Sequence, residues 1–136
     1  MTSKAISVRY PWIQLILTGS RPLEVRGRAT AHRGEVYLHA SRTYGRAERE
    51  AAAQLGLTDP EPGVVGAVIG KAVLTGCRPM TAGDWEAAGL PPRDKRLWAW
   101  LLEAPEAVDP FPIQGQRFLF DFELSRRKRD RSRSAA

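Results

Sequence analysis

The sequence predicts an α+β fold: a small mixed, mainly antiparallel β-barrel of five or six short strands with about three short helices. The 136 residues are enough for one hydrophobic core and too few for two. Several segments alternate apolar and polar side chains, the period of a strand, whereas others have the composition of helices. Strands and helices do not alternate regularly along the chain, which argues against a doubly wound parallel sheet.

The first half of the chain contains two predicted strands and one predicted helix. Residues 5–9 form the first strand, and a helix begins after Pro11, whose missing N–H costs nothing in a first turn. Gly19 can adopt the left-handed conformation that ends the helix. Residues 22–26 are then extended, and residues 35–40 form a clear strand in which apolar and polar side chains alternate.

The second half begins with a helix over residues 46–55, which consist mainly of Ala, Glu, Arg and Gln. Residues 64–74 are β-branched with glycines between, the pattern of a strand that is buried on both faces or bent. A helix over residues 81–88 starts with a plausible N-cap. Residues 97–102 and 117–124 complete the strands, and the phenylalanines of the last strand share one face.

Positive charge is concentrated at the two ends of the chain. Residues 1–50 carry a net charge of +5, residues 51–125 carry −4, and residues 126–133 carry +5. Such an asymmetry favours a basic face that meets a polyanion, with RNA or a nucleotide first and DNA as an alternative. Two alternatives remain. The uneven charge has no bearing on a partner, or the protein is an adaptor that binds other proteins through its acidic residues 51–125.

We predict a folded domain over residues 1–124 and a disordered basic tail over residues 125–136, which have low complexity and no apolar face. The tail would add phosphate contacts that depend on salt and not on sequence. A purely solubilising tail is the alternative. The expected contact residues are Arg126, Arg127, Lys128 and Arg129.

Several classes of site and location are not expected. A lone cysteine, Cys77, excludes an internal disulfide, and with only two histidines the sequence offers no metal-site spacing. We therefore expect neither a metal nor another cofactor. No apolar run is long enough to span a membrane, and the first residues do not resemble a secretory signal, so we expect a cytoplasmic protein. The sequence leaves the oligomeric state open and slightly favours a monomer.

Six segments, in order, resemble the ASCH domain family, which is related to the PUA fold. The resemblance covers roughly residues 5–124, and its hallmark, Gly-x-Lys-x-x-Glu-x-Arg, is matched by Gly19–Arg26 except that Arg21 stands in place of the lysine. The segments are residues 7–12 and 17–26, residues 33–41, residues 66–70, residues 98–100 and residues 112–116.

The resemblance implies a PUA-like fold with a cleft beside the hallmark segment. Members of the family are thought to bind RNA or modified nucleosides, and a few resemble hydrolases that deacylate N4-acylated cytidine or cut RNA. Because Arg21 remains protonated in proteins, it cannot act as the general base that a lysine at that position could be. The substitution therefore preserves anion binding and weakens the hydrolase interpretation.

The side chains of the hallmark support the same site. Glu24 and Arg26 lie on one face of an extended segment because side chains alternate. Arginine offers a donor fork for phosphate, and a glutamate can accept from the amine of a base such as cytosine. Alternatively, Glu24 forms a structural salt bridge with Arg26 or Arg9. If the protein is an enzyme, Glu24 would be the base and Arg21 would stabilise negative charge.

The remaining candidates are a histidine, a serine and a tyrosine. His39 is a candidate general acid or base, or else a rim histidine bonded to the backbone. Ser41 is a candidate ligand contact, or else a cap for the following helix. Tyr10 is the best candidate for stacking on an unpaired base. The predicted nucleic-acid contacts are Arg9, Tyr10, Arg21, Glu24, Arg26, Arg28 and Ser41, and the predicted catalytic residues are Glu24, Arg21 and His39.

Overall fold

Six strands and three helices follow one another in the part of the chain that the computed structural model describes, residues 2–57 and 62–123. The α+β class and the short helices predicted from the sequence are confirmed. In chain order the elements are β1 (Thr2–Val8), α1 (Trp12–Leu17), β2 (Leu23–Arg26), β3 (Gly34–Ala40), α2 (Arg46–Gln54), β4 (Ala67–Pro79), α3 (Asp84–Ala87), β5 (Trp98–Pro112) and β6 (Phe120–Glu123).

All six strands belong to one mixed sheet, in the order β2-β5-β4-β3-β1-β6. Strands β1 and β3 are parallel, whereas the other neighbouring pairs are antiparallel. The long β4–β5 ladder contains three register shifts, and such irregularities bend a sheet and increase its twist. The sheet curls until the β2 edge comes within side-chain reach of β1.

The prediction of a barrel needs one correction. Among the residues described, β2 and β6 at the two edges share no ladder, so the sheet is strongly curled but not closed. Both edge strands have only four residues. A side-chain contact links β2 to β1 across the opening: Arg26 of β2 donates from Nη2 to the Ser7 carbonyl of β1 at 2.7 Å.

Helix α1 packs on the concave side of the sheet and positions the hallmark segment. Its Ile13 and Ile16 are buried against the apolar side chains of β1 and β3, and each such burial stabilises the fold by about 1.5–3 kcal/mol. Gly19 then ends the helical turn with a φ of +85°, as the sequence predicted. The Arg21 N–H donates to the Leu15 carbonyl at 3.0 Å, which turns the chain into β2.

Several strand boundaries differ from the prediction: β1 begins at Thr2 and not at residue 5, and β4 covers Ala67–Pro79 and not residues 64–74. Strand β5 continues to Pro112, well beyond residue 102, although the added segment is polar and contains prolines. Pairing with β4 holds it there, which local sequence does not reveal. Strand β6 begins at Phe120 and not at residue 117, so Phe118 lies before the strand and is half exposed, whereas Phe120 is buried.

One predicted segment falls outside the residues that the structure describes. The basic tail, residues 125–136, lies outside them, and so do the tail arginines and Lys128. Within residues 2–57 and 62–123, no helix has the length and apolar character needed to cross a membrane. Cys77 is half-buried and packs against the main core, in keeping with a structural side chain.

Candidate functional site

An open cleft of about 1640 Å³ lies beside the hallmark segment. Its walls come from the end of β1, the segment from Arg21 to Gly27, helix α2, and the loops that follow α3 and β5. Six arginines and four glutamates line it, so the cleft carries an excess of positive charge. The charged residues that line it are Arg9, Arg21, Arg26, Arg42, Arg93, Arg117, Glu24, Glu48, Glu50 and Glu86.

The Glu24 carboxylate is buried in the wall of this cleft, with 6% of the residue exposed. Its Oε1 accepts a hydrogen bond from Arg21 Nη1 at 2.7 Å and another from the Val25 N–H at 3.1 Å. Its Oε2 accepts two bonds from Arg26, one from Nη2 at 2.9 Å and one from Nε at 3.2 Å. Because a carboxylate has about four lone-pair sites, these donors saturate it. Glu24 therefore fixes two guanidinium groups in place.

Arg21 is as deeply buried as its partner, with 3% of the residue exposed. Its Nε donates to the Ala88 carbonyl at 2.7 Å, just beyond helix α3, while Nη1 holds Glu24. For Nη2 there is no hydrogen-bond partner among residues 2–57 and 62–123, and Arg21 lines the cleft. One edge of this guanidinium is thus available to a ligand, while the rest is anchored.

Arg26 joins the two edges of the curled sheet. Besides its bonds to Glu24, it donates from Nη2 to the Ser7 carbonyl at 2.7 Å and from Nη1 to the Arg117 carbonyl at 3.2 Å. Its guanidinium carbon also lies 5.8 Å from the centre of the Trp100 ring. The predicted juxtaposition of Glu24 and Arg26 on one face of the strand is confirmed, and the salt bridge that the sequence left as an alternative is formed.

The charge state of Glu24 follows from these contacts. Burial alone raises the pKa of its carboxyl, but the charges of Arg21 and Arg26 and their hydrogen bonds outweigh burial and hold the pKa below its ordinary value. Glu24 is therefore an anion at neutral pH. A carboxylate with a lowered pKa and no free lone pair is a weak general base.

A second buried polar pair joins strands β1 and β3. His39 Nε2 lies 2.9 Å from the Ile113 carbonyl, and because a carbonyl can only accept, Nε2 carries the proton. In the neutral ring Nδ1 then accepts from the hydroxyl of Ser7, whose Oγ is 2.9 Å away. Burial lowers the pKa of His39; the bond to Ile113 opposes this, and the charge of Arg42 adds to it. His39 is therefore neutral at pH 7.

Gly115 covers this pair from the loop before β6. A Cβ at this position would lie 2.7 Å from Ser7 Oγ and would overlap the His39 ring, so only glycine fits without movement. The loop thus packs directly on Ser7 and His39. All three residues line the cleft.

The other predicted contacts separate into two groups. Arg9 and Ser41 line the cleft; Arg9 lies 3.8 Å from a Glu48 oxygen, and the Ser41 hydroxyl accepts from the Thr43 N–H at 3.1 Å. Tyr10 and Arg28 are not part of the cleft wall. Tyr10 borders a separate cavity of about 80 Å³, and its ring centre is 5.8 Å from that of Tyr44.

Sequence reasoning missed several polar residues that line the cleft, among them Ser7, three arginines and two glutamines: Arg42, Arg93, Arg117, Gln114 and Gln116. Ser7 had a usable signal, since it alternates with the apolar Ile6 and Val8 and so faces the other side of β1. The three arginines lie in loops, where no periodicity indicates which way they point. In the described residues, no group of His, Cys, Asp and Glu could hold a metal ion.

Neither protein-family sequence models nor curated protein sequences match this chain. Solved structures do. A crystal structure of an ASCH protein from Zymomonas mobilis is similar with a TM-score of 0.64 and 14% identity, over 95% of this chain and 93% of that one. Two point-mutant structures of that protein have TM-scores of 0.61 with 14% and 16% identity, each covering 95% of this chain and 96% and 94% of theirs. The fold is therefore that of the ASCH structures.

Proposed function

We propose that the cleft binds one nucleotide of a single-stranded RNA. Its phosphate would lie against the arginines, and its base would lie beside them in the same cleft. The observation that supports this most is the pair of guanidinium groups, Arg21 and Arg26, held at the cleft wall by the single buried carboxylate of Glu24. A preorganised arginine fork suits a phosphate or another planar anion. The ASCH fold and the sequence resemblance support the same ligand class.

In this proposal Glu24 positions the arginines and does not read the base. Its four acceptor sites are occupied, so a contact from the amine of a base would require it to release one of them. Two glutamine side chains, Gln114 and Gln116, line the cleft and offer both donors and acceptors for a base edge. These loop residues are the better candidates for base recognition.

Two arginines of one loop provide a matched test. Arg93 lines the cleft, whereas Arg96, three residues later and also exposed, does not. We expect Arg93→Ala to weaken binding of a fluorescein-labelled RNA decamer and to reduce the slope of log affinity against log salt by about 0.7, the loss of one phosphate contact. Arg96→Ala should change neither quantity. Fluorescence polarisation between low and physiological salt measures both.

The results distinguish binding in the cleft from binding elsewhere on the protein. Equal effects of the two substitutions would place binding outside the cleft, and no RNA binding by the wild-type protein at low salt would contradict the proposal. A DNA decamer of the same sequence distinguishes the sugar: equal affinity would mean that the 2′-hydroxyl is not read. Deleting residues 125–136 should lower affinity for every sequence alike, because a basic tail carries no base contacts.

A second candidate function, hydrolysis of an acylated cytidine, is favoured by the Ser7–His39 pair. The Ser7 hydroxyl donates to the unprotonated Nδ1 of a neutral histidine whose other nitrogen is fixed by a backbone carbonyl. This is the arrangement of a nucleophile with its base and orienting group. Ser7 Oγ would attack the acyl carbon, His39 would take the hydroxyl proton and pass it to the departing amine, and water would then release the acyl group from Ser7.

N4-acetylcytidine tests this candidate. Release of cytidine that disappears in Ser7→Ala and persists in Ser3→Ala, on the same strand, would support it. An acetyl group found on Ser7 by mass spectrometry would identify the intermediate. No cytidine release, or release unchanged in Ser7→Ala, would leave Ser7 and His39 as a structural pair.

A further inference from the structure

We propose that Phe118, together with Arg28 and Arg117, forms a stacking platform for the nucleotide next to the one in the cleft. The inference rests on the proposed function and extends it from a single-nucleotide site to a track along a single strand. Phe118 is 50% exposed, and of the exposed large hydrophobic side chains in the described residues it is the one aromatic. At that exposure the ring offers apolar surface that a ligand can cover.

Two cations accompany this ring. The guanidinium carbon of Arg28 lies 4.6 Å from the ring centre, and that of Arg117 lies 5.5 Å from it. Both arginines are exposed. An aromatic face with flanking guanidinium groups is the combination that binds single-stranded nucleic acid, since the ring stacks on a base and the cations meet the phosphates on either side. A stacked base would replace a guanidinium on the ring, and that guanidinium would turn to a phosphate.

The platform is continuous with the cleft and is anchored to it. Arg117 itself lines the cleft, and its carbonyl accepts from Nη1 of Arg26 at 3.2 Å. The Arg28 carbonyl accepts from the indole nitrogen of Trp100 at 2.9 Å. Arg26 and Trp100 thus hold the backbone at Arg117 and at Arg28, the two arginines that contact the ring. A strand that leaves the cleft past Arg117 would meet the ring next.

This geometry favours a single strand over a duplex. Bases in an A-form helix are stacked on one another and present no free face, whereas bases of a single strand can turn out onto an aromatic side chain. Stacking on an aromatic ring tolerates every base, because each has a π-face. The platform would therefore add affinity without adding sequence preference, and any base preference would come from the cleft.

The test compares two probes, a single-stranded RNA decamer and the four nucleoside 5′-monophosphates, on the full chain. We expect Phe118→Ala to weaken decamer binding about tenfold, within the range of one lost base–aromatic contact, and to leave monophosphate binding unchanged. Phe118→Tyr should retain decamer affinity, because it keeps the ring. Phe118→Leu, which keeps apolar bulk, should behave as alanine does. Val73→Ala, at another exposed apolar side chain, is the matched control and should change nothing.

Failure of the inference can be told from failure of the proposed function. If the decamer binds Phe118→Ala as tightly as it binds the wild type, the platform is refuted while the cleft proposal stands. Equal losses for the decamer and the monophosphates would place the ring inside the cleft site and would also refute a second position. A duplex that binds as tightly as the single strand would also refute the platform, because its bases present no free face to the ring. If the wild type binds neither probe, the proposed function fails and the platform with it.

Discussion

Replacing Glu24 by glutamine tests the central feature of the site, the single carboxylate that holds two guanidinium groups. The substitution keeps the size and shape of the side chain but removes its charge. One oxygen remains as an acceptor, whereas the new amide group meets guanidinium or backbone donors that it cannot accept from. At least two of the four hydrogen bonds are lost, and two arginines remain at the wall without a counter-charge.

The size of the effect follows from burial. Arg21 is fully buried, and only 17% of the Arg26 side chain is exposed, so water restores little of the lost interaction. Removing one partner of a buried ion pair destabilises a protein by about 3–5 kcal/mol. Because Arg26 keeps its bonds to two backbone carbonyls, we expect the lower end, about 3 kcal/mol. Glu35→Gln is the control: its ion pair with Lys71 is half exposed, and we expect a loss below about 1 kcal/mol.

The effect should also depend on pH, with a defined sign. The pKa of Glu24 is lower in the folded protein than in the unfolded chain, so its contribution to stability is fully present above its ordinary pKa of about 4.3. The contribution is lost as the pH falls through the lowered folded value. The stability difference between the wild type and Glu24→Gln should therefore be largest near neutrality and should shrink on acidification below that ordinary value.

Urea unfolding followed by tryptophan fluorescence, at pH 7 and at a series of acid pH values, measures both quantities. A loss below about 1 kcal/mol at pH 7 would mean that water screens the cluster as it screens a surface pair, and the reasoning from burial would be wrong. A loss that is the same at neutral and acid pH would show that Glu24 does not carry the charge assigned to it.

Three further substitutions test neighbouring features by the same unfolding assay. The wild type should gain stability as the pH rises from the lowered folded pKa of His39 to its ordinary value of about 6.5, because in that range the unfolded chain takes up the proton more readily. His39→Gln should flatten this rise, and an unchanged profile would contradict the prediction. Gly115→Ala should cost about 1–3 kcal/mol through its clash with Ser7 and His39, whereas Gly83→Ala, with open space around it, should be nearly neutral; equal effects would refute the close approach. Asp84→Asn should cost about 1–2 kcal/mol, because the Asp84 carboxylate accepts from Arg78 and from the N–H of Thr81 in the turn before helix α3; a neutral effect would show that these bonds are exchanged with water.

The site segment shows which properties are local. The turn at Gly19, the extended run that follows and the shared face of Glu24 and Arg26 depend on the conformational freedom of glycine and on side-chain alternation, and all three were predicted correctly from the sequence. The class of the fold was predictable for the same reason, since periodicity reports the conformation of each short segment. The open sheet was not predictable, because closure depends on how far two short edge strands can curl toward each other.

Pairings between distant residues needed the tertiary structure. Ser7 and His39, 32 residues apart, meet because β1 and β3 are parallel neighbours in one register, and a shift of one residue would send their side chains to opposite faces. In the same way, Phe118 was predicted to share a strand face with Phe120, but β6 begins only at Phe120, and Phe118 is exposed whereas Phe120 is buried. The sequence alone determined which residues of Gly19–Arg26 carry charge and share a face. Only the tertiary structure decided that both arginines close on one buried carboxylate, because burial and register are properties of the packed chain.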